Sequence, residues 1–332
     1  MIKDIYAYLD NLEQKNLPRK NNNLIYDGST ISTVEEHHCN GSVSKPLVIN
    51  GVHYFEKSAN YEQSIVDIAS TNMYNAIGIP TPPIYGMEKP NSKLRTLEYK
   101  KYIISPDIHS IKGHIFTIAD DLLAHQDFEK LRLRRANKWD ALYDSDIQRT
   151  FLKHMTRECF DQLIGLFLVD ELRSEKDRHE MNYFFYKKQG ADKYEGVLPI
   201  DNEYAAILFH SVPMGNKCDF QEFLYSPYST PTILGSDEED HRSYRDRIRD
   251  IRELLNDQIL SKNQIELMKK ALSYDLPSEI KSAGNQLYPN GLLSKLLGFG
   301  DTSNARCSKI AYDSFAKLWD YNRKELGKDL EL

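Results

Sequence analysis

Apolar residues recur with a period of two through 45–57 and with a helical period just beyond, and this switch organises the first third of the chain. KPLVINGVHYFEK alternates on both sides of Asn50–Gly51, a dipeptide suited to a two-residue hairpin loop, and predicts two antiparallel strands. In ANYEQSIVDIASTNMYNAIGIP, Ile65, Ile68, Ala69 and Met73 fall on one helical stripe, and Gly78 ahead of Pro80 predicts the stop. Further strands are expected near 84–87 and 97–104. Residues 1–20 open as a short helix before the polar loop RKNNN.

Beyond Ser105–Pro106 the pattern becomes helical. Residues 115–138 and 146–173 read as mostly helical, the second with an apolar face of Phe151, Met155, Cys159, Leu163 and Phe167. The strands NYFFYKK and EGVLPI follow, separated by the turn-rich QGADKY. A long segment rich in Gly, Pro, Ser and Tyr runs to about Ser236, with a short helix expected at DFQEFL. Helical patterns resume at 238–256, 262–273 and from Pro277 onward. The expected layout is α+β: a strand-rich small lobe (1–105), a helical large lobe holding one hairpin (106–276) and a helical C-terminal region (277–332).

Composition narrows the function classes. The 332 residues are 40% hydrophobic and 28% charged, as in ordinary globular proteins. A net charge of -6 argues against general nucleic-acid binding. Cys39, Cys159, Cys218 and Cys307 lie far apart without a CxxC pair, which fits a reduced protein lacking a structural zinc site. The N-terminus is too polar for a signal peptide, and the apolar run around 163–169 is too short to span a bilayer. A protein that folds in a cytosol is expected.

The most specific chemistry lies in DELRSEKDRHEMNYFFYKKQGADKYEGVLPIDNEY. Asn182 follows Asp177 by five residues, the separation found in HRDxxxxN, and Asp201 stands nineteen residues further on, after two strands. One loop can then aim a carboxylate at an attacking hydroxyl and an amide oxygen at a metal, with a second carboxylate arriving from the adjacent strand end. Oxygen ligands of this kind suit magnesium shared with phosphates.

DRHEMN followed by PIDN resembles the atypical kinases related to the phosphatidylinositol 3- and 4-kinases and to the HipA-type bacterial kinases. The resemblance implies a two-lobed protein kinase-like fold, ATP and Mg2+ as cofactors, Asp177 as the catalytic Asp, and Asn182 and Asp201 as magnesium ligands. The close match covers about thirty residues, and lobe order extends it loosely over 40–260. Likeness to kinases that intracellular bacteria inject as effectors adds the expectation of a host protein as substrate, although no motif separates that group.

Lys57, ending HYFEK just before the helix, is the candidate ATP lysine; otherwise it is a strand-end surface lysine. Its helix acid is Asp67, with Glu62 in the first turn as the alternative. No GxGxxG precedes Lys57, so Gly41 and Ser42 of HCNGSVSKP are the candidate phosphate-covering loop or a plain surface loop. Segment 103–107, with Ile104, is placed as the adenine-reading hinge from position alone. DNEY stands where ordinary kinases have DFG, and no APE anchor is visible.

Two basic clusters lie outside this constellation. Lys130, Arg132, Arg134, Arg135 and Lys138 of KLRLRRANK are candidates for binding a polyanion such as an activating inositol polyphosphate or an anionic lipid head group. Arg242, Arg245, Arg247, Arg249 and Arg252 read as a salt-bridged solvent face. NGLLSKLLGFG and the amphipathic SKIAYDSFAKLWDYNRKEL pack in the core by default. The sharper alternative is docking on a phosphoinositide membrane through Leu292, Leu293, Leu296, Leu297 and Phe299. The leading expectation is a Ser/Thr protein kinase. Alternatives are a phosphoinositide or inositol kinase, a kinase-fold AMP transferase and a non-catalytic pseudokinase scaffold.

Overall fold

The alternation at 45–57 folds as a hairpin, and the helical stripe after it becomes the most buried element of the small lobe. The computed structural model describes residues 19–20, 23–25, 31–33, 44–49, 52–57, 61–88, 102–132, 139–211, 219–232, 235–287 and 302–332. Strands β1 (Arg19–Lys20), β2 (Asn23–Ile25), β3 (Ile31–Thr33), β4 (Ser44–Ile49) and β5 (Val52–Lys57) precede helix α1 (Tyr61–Ile77). Strands β6 (Tyr85–Glu88) and β7 (Tyr102–Pro106) complete a seven-stranded sheet in the order β1-β2-β6-β7-β5-β4-β3. Ile49 pairs with Val52, the register a two-residue connection dictates. Within β5, Tyr54 and Glu56 are buried while His53 is exposed, so strand periodicity holds through to Lys57.

Helix α1 ends where expected. Gly78 adopts a positive φ of 99°, its N–H donates to the Tyr74 carbonyl at 3.1 Å, and the Ile79 N–H reaches the same carbonyl at 2.9 Å. This is a left-handed glycine cap that satisfies the last helical carbonyls.

The large lobe departs from the helical expectation at its start. Residues 114–118 form strand β8 (His114–Ile118) rather than helix. HIFTI is rich in β-branched and aromatic residues, and it pairs antiparallel with β9 (Tyr183–Lys188), which pairs in turn with β10 (Gly196–Pro199). A helical period read across 115–138 missed this partner because the pairing is long-range. Helices α2 (Ala119–Leu123), α3 (Gln126–Arg132), α4 (Asp140–Tyr143), α5 (Ser145–His154) and α6 (Arg157–Leu172) lie between β8 and β9. The single helix expected over 146–173 is two, because Met155 turns extended and the Thr156 hydroxyl caps α6 by accepting the Cys159 N–H at 3.1 Å.

After β10 come α7 (Ala206–Ser211), α8 (Phe220–Tyr225), β11 (Pro227–Thr232), β12 (Gly235–Ser243), α9 (Tyr244–Asn256), α10 (Lys262–Ser273), α11 (Leu276–Leu287) and α12 (Thr302–Leu326). The expected start of a helix at 238 is displaced to Tyr244, since 235–243 pairs with β11 and Ser243 caps α9. Arg247 explains this. Its buried guanidinium bonds Glu171 at 3.2 Å, Thr230 at 2.7 Å and the carbonyls of Tyr228 and Asp240 at 3.1 and 2.6 Å. The remaining arginines lie toward solvent: Arg242 pairs with Asp240 and Asp250, Arg249 with Asp246 and Arg252 with Glu325, while Arg245 donates to the Tyr225 hydroxyl at 3.1 Å. Arg247 is the exception, an interior anchor for the β11–β12 hairpin.

Helix α6 runs through the middle of the core, buried at every position from Cys159 to Leu172, its polar Asp161, Gln162, Asp170 and Glu171 included. Helix α12 buries Ala311, Phe315, Leu318, Trp319 and Leu326 and contacts α11, α1 and α7. Its apolar face therefore serves the core. The segment 292–299 lies outside the described residues. Among the described residues no helix is long and apolar enough to cross a membrane.

Gly78→Ala forces a Cβ into the left-handed region at the end of α1, where nothing crowds it sterically but the backbone itself resists. We expect a loss of about 1 kcal/mol. A lower urea midpoint with an unchanged slope would show it; an unchanged midpoint would contradict the cap.

Candidate active site

The loop that leaves α6 is held by its own backbone before any side chain acts. Lys176 N–H donates to the Tyr204 carbonyl at 3.1 Å and Ala206 N–H to the Ser174 carbonyl at 2.7 Å, so 174–176 lies against 204–206. Asp177 N–H then caps onto the Glu175 carboxylate at 2.9 Å. A single 3-10 turn, Glu180–Asn182, brings the chain round, and the Asn182 amide donates to the Asp177 carbonyl at 2.8 Å. The five-residue spacing thus closes a loop in which the Asn182 side chain is tied to the Asp177 backbone.

The β9–β10 hairpin returns the chain to the same place. Tyr183 pairs with Pro199, and Ile200 N–H donates to the Asn182 carbonyl at 3.0 Å. Asp201 is consequently next to Asn182, although nineteen residues separate them in sequence. It adopts a positive φ of 58°, a conformation disfavoured for residues with a Cβ. Its flanks impose it. Asn202 N–H donates to the Asp67 carboxylate at 2.9 Å, the Asn202 side-chain oxygen accepts from Arg178, and the Asn202 carbonyl accepts from Arg173.

Lys57 reaches into this corner from the end of β5. Its ammonium pairs with Asp201, lies 2.5 Å from Glu203 and 3.7 Å from Asp67. Between the two candidate helix acids, the structure brings Asp67 to Lys57, with Glu62 one helical turn and more away along α1 and half-buried. Glu203 was missed by sequence reasoning, although it stands in the same DNEY that departs from DFG. Burial, with the Asp67 carboxylate adding to it and the Lys57 ammonium opposing, pushes the Glu203 carboxyl up to about 7.

Beneath the loop lies a buried ionic layer that no motif announced. Arg178, inside DRHEMN, points inward and not to solvent. Its guanidinium bonds Asp170 at 3.0 Å, the Asn182 carbonyl at 2.7 Å and the Ile200 carbonyl at 2.6 Å, besides Asn202. Arg173 bonds Glu175 at 2.6 Å and Ser70 at 2.8 Å, and Tyr74 donates to Asp170. Burial raises the Tyr74 hydroxyl well above its usual range, which keeps it a donor. Burial likewise raises the Glu175 carboxyl, against the pull of Arg173. A usable signal existed: Asp170 is a charge directly after the apolar run 163–169, and a charge buried there needs a partner.

Asp67, Asp201 and Glu203 offer carboxylate oxygens all within 4.8 Å of one another, against the one Lys57 ammonium. Asp201 Oδ1 and Glu203 Oε2 are buried, and both face the Lys57 ammonium. Hard oxygen donors with an excess of negative charge fit Mg2+.

The other expected positions are less informative. Ile104 lies inside the sheet, opposite Glu56 on one side and Tyr85 on the other, and the chain leaves the sheet at Pro106–Asp107. Gly41 and Ser42 lie outside the described residues. So do Arg134, Arg135 and Lys138, whereas Lys130 and Arg132 fall on α3 with side chains that are not described.

No family model matches this chain. No curated protein matches it either. Among solved structures, the Helicobacter pylori proinflammatory kinase CtkA is similar at a TM-score of 0.59 and 14% identity, over 91% of this chain and 98% of that one. A thermostable mutant of the aminoglycoside phosphotransferase APH(4)-Ia covers 85% of this chain and 93% of its own at 11% identity, but its TM-score of 0.23 carries no argument. The likeness to CtkA shows the fold: this chain has a two-lobed, protein kinase-like α+β architecture with a small strand-rich lobe and a larger helical one.

Proposed function

We propose that this chain is an ATP- and magnesium-dependent phosphotransferase and, within that class, an atypical protein kinase acting on Ser or Thr hydroxyls. One observation carries the reading: Asp177, Asn182, Asp201 and Lys57, scattered over 57–201, are tied into one corner by the Asn182–Asp177 hydrogen bond, the β9–β10 register and the Lys57–Asp201 pair. The kinase-like fold agrees with it without carrying it.

Each residue has a role in that reading. Asp177 orients the attacking hydroxyl and accepts its proton as the oxygen bonds to the γ-phosphorus and ADP departs. Asn182 and Asp201 hold Mg2+, which neutralises phosphate charge when bound. Glu203 adds a carboxylate beside them. Lys57, oriented by Asp67, neutralises the non-transferred phosphates. DRHEMN and PIDN favour the HipA-like and phosphoinositide-kinase-like branch, and a likeness to kinases that intracellular bacteria inject as effectors suggests a protein of a host cell as substrate.

Incubation with labelled ATP, Mg2+ and a eukaryotic lysate tests the reading. Asp177→Ala should retain nucleotide binding and lose transfer by roughly two orders of magnitude or more. Asp201→Ala should lose metal-dependent nucleotide binding by calorimetry. If both variants label substrates like the parent, the assignment is wrong. The adduct mass separates phosphate from AMP transfer.

Arg178 acts through its neighbours, so its loss should show in stability as well as rate. Arg178→Met and Asp170→Asn should each cost about 3–5 kcal/mol, since each strands a buried charge or its partner. The double variant should cost clearly less than the two singles together. Additive losses in urea titrations would show that the pair is not coupled.

A further inference from the structure

A second group of metal-ligating side chains sits on elements that the proposed phosphotransfer does not use. His125 precedes α3, Asp127 stands in its first turn, and His154 is the last residue of α5. The geometry points to a site for a borderline-soft divalent cation of the zinc class, held by His125, Asp127 and His154.

Spacing is the first reason. His154 Nε2 lies 3.0 Å from Asp127 Oδ2, His125 Nδ1 lies 3.8 Å from the same oxygen, and the three ligand atoms fall within 4.8 Å of one another. Bonds of about 2.0–2.1 Å around a four-coordinate ion put its ligands roughly 3.3 Å apart, so His154 and Asp127 need scarcely move and His125 closes on Asp127 by about half an ångström. The two imidazoles converge and do not stack: their centroids are 4.9 Å apart with planes at 64°.

Rigidity is the second reason. The His154 carbonyl accepts the Tyr194 N–H at 3.0 Å, which fixes the end of α5. Its ring rests on Phe128 at 5.3 Å, and Phe128 rests on Phe151 at 5.1 Å, so an apolar floor backs the ligands. The ligand side stays open to solvent, with His125 46% and Asp127 31% exposed.

Two local contacts compete with an ion, and neither blocks it. Lys153 Nζ approaches the other carboxylate oxygen, Asp127 Oδ1, at 3.8 Å from a largely exposed position. Asp127 N–H donates to His125 Nδ1 at 3.2 Å, a long bond that an ion must displace to take this nitrogen's single lone pair. The donor set selects the cation: two imidazole nitrogens with one carboxylate suit zinc, and magnesium prefers oxygen alone. Three protein ligands leave at least one position for water, and a bound ion would clip α3 to the end of α5.

The test uses the untagged, full-length chain carrying Asp201→Ala, so that the Asp67–Asp201–Glu203 cluster cannot account for binding. Chelator-stripped protein is titrated with ZnCl2 alone in a calorimeter, and Co2+ is added separately as a visible-light reporter. We expect one equivalent of zinc at a dissociation constant of about 1 µM or tighter, a Co2+ spectrum of low-coordinate, nitrogen-ligated type, and a zinc-dependent Tm rise of a few degrees. His125→Ala and His154→Ala should each weaken zinc binding about tenfold or more and abolish the Tm rise, while keeping the metal-free Tm of the parent. Equal zinc affinity in both histidine variants would overturn the site, as would the absence of stoichiometric binding by the parent.

Discussion

The arrangement of this site depends on one buried guanidinium. Arg178 lies in the loop between the half-buried Asp177 and His179, and its own side chain turns fully into the protein and satisfies acceptors from three separate segments. Asp170 is on α6, Asn182 closes the loop, and Ile200 and Asn202 flank Asp201. A buried charge is tolerated only when paired and hydrogen-bonded, so the fold cannot let these segments drift apart without leaving that charge unsatisfied. The cost of burying Arg178 is thereby converted into position: Asp177, Asn182 and Asp201 follow the backbone that Arg178 holds.

The same constraint reaches the small lobe through α1. Asp67, Ser70, Thr71 and Tyr74 follow one another at spacings of three, four and seven from the first, which places them on one helical face. That face meets the loop: Asp67 accepts from Asn202, Ser70 from Arg173, Thr71 from the Asn202 amide, and Tyr74 donates to Asp170. This buried polar stripe on α1 thus couples the lysine-bearing sheet to the loops of the large lobe. The strained backbone at Asp201 persists because both its neighbours are held by this stripe and by the arginines.

Much of this was legible in the sequence, and the reasons differ by residue. Asp177, Asn182 and Asp201 could be read because their relation is set by local loop and hairpin geometry, which short spacings encode. Asp67 could be preferred over Glu62 only by its place along the helix, and the distance to Lys57 supports that choice. Glu203 and Arg178 stood in plain view inside the quoted motifs, but their inward direction is a property of packing and not of spacing. The same holds for residues 115–118 and 238–243, read as helical although both lie in strands. One is held by β9 and the other by β11 with the buried Arg247, partners that a local period does not reveal. The apolar stripe of α12, by contrast, was correctly read as core, because its period and its burial are the same fact.

A crystal of the parent protein grown with Mn2+ and a non-hydrolysable ATP analogue, with data collected at the manganese edge, would examine the corner itself. The geometry predicts an anomalous peak bonded to the Asp201 carboxylate and the Asn182 amide oxygen, with the γ-phosphate beside Asp177 and Lys57 on the inner phosphates. Manganese and nucleotide bound elsewhere, with these four side chains untouched, would contradict it.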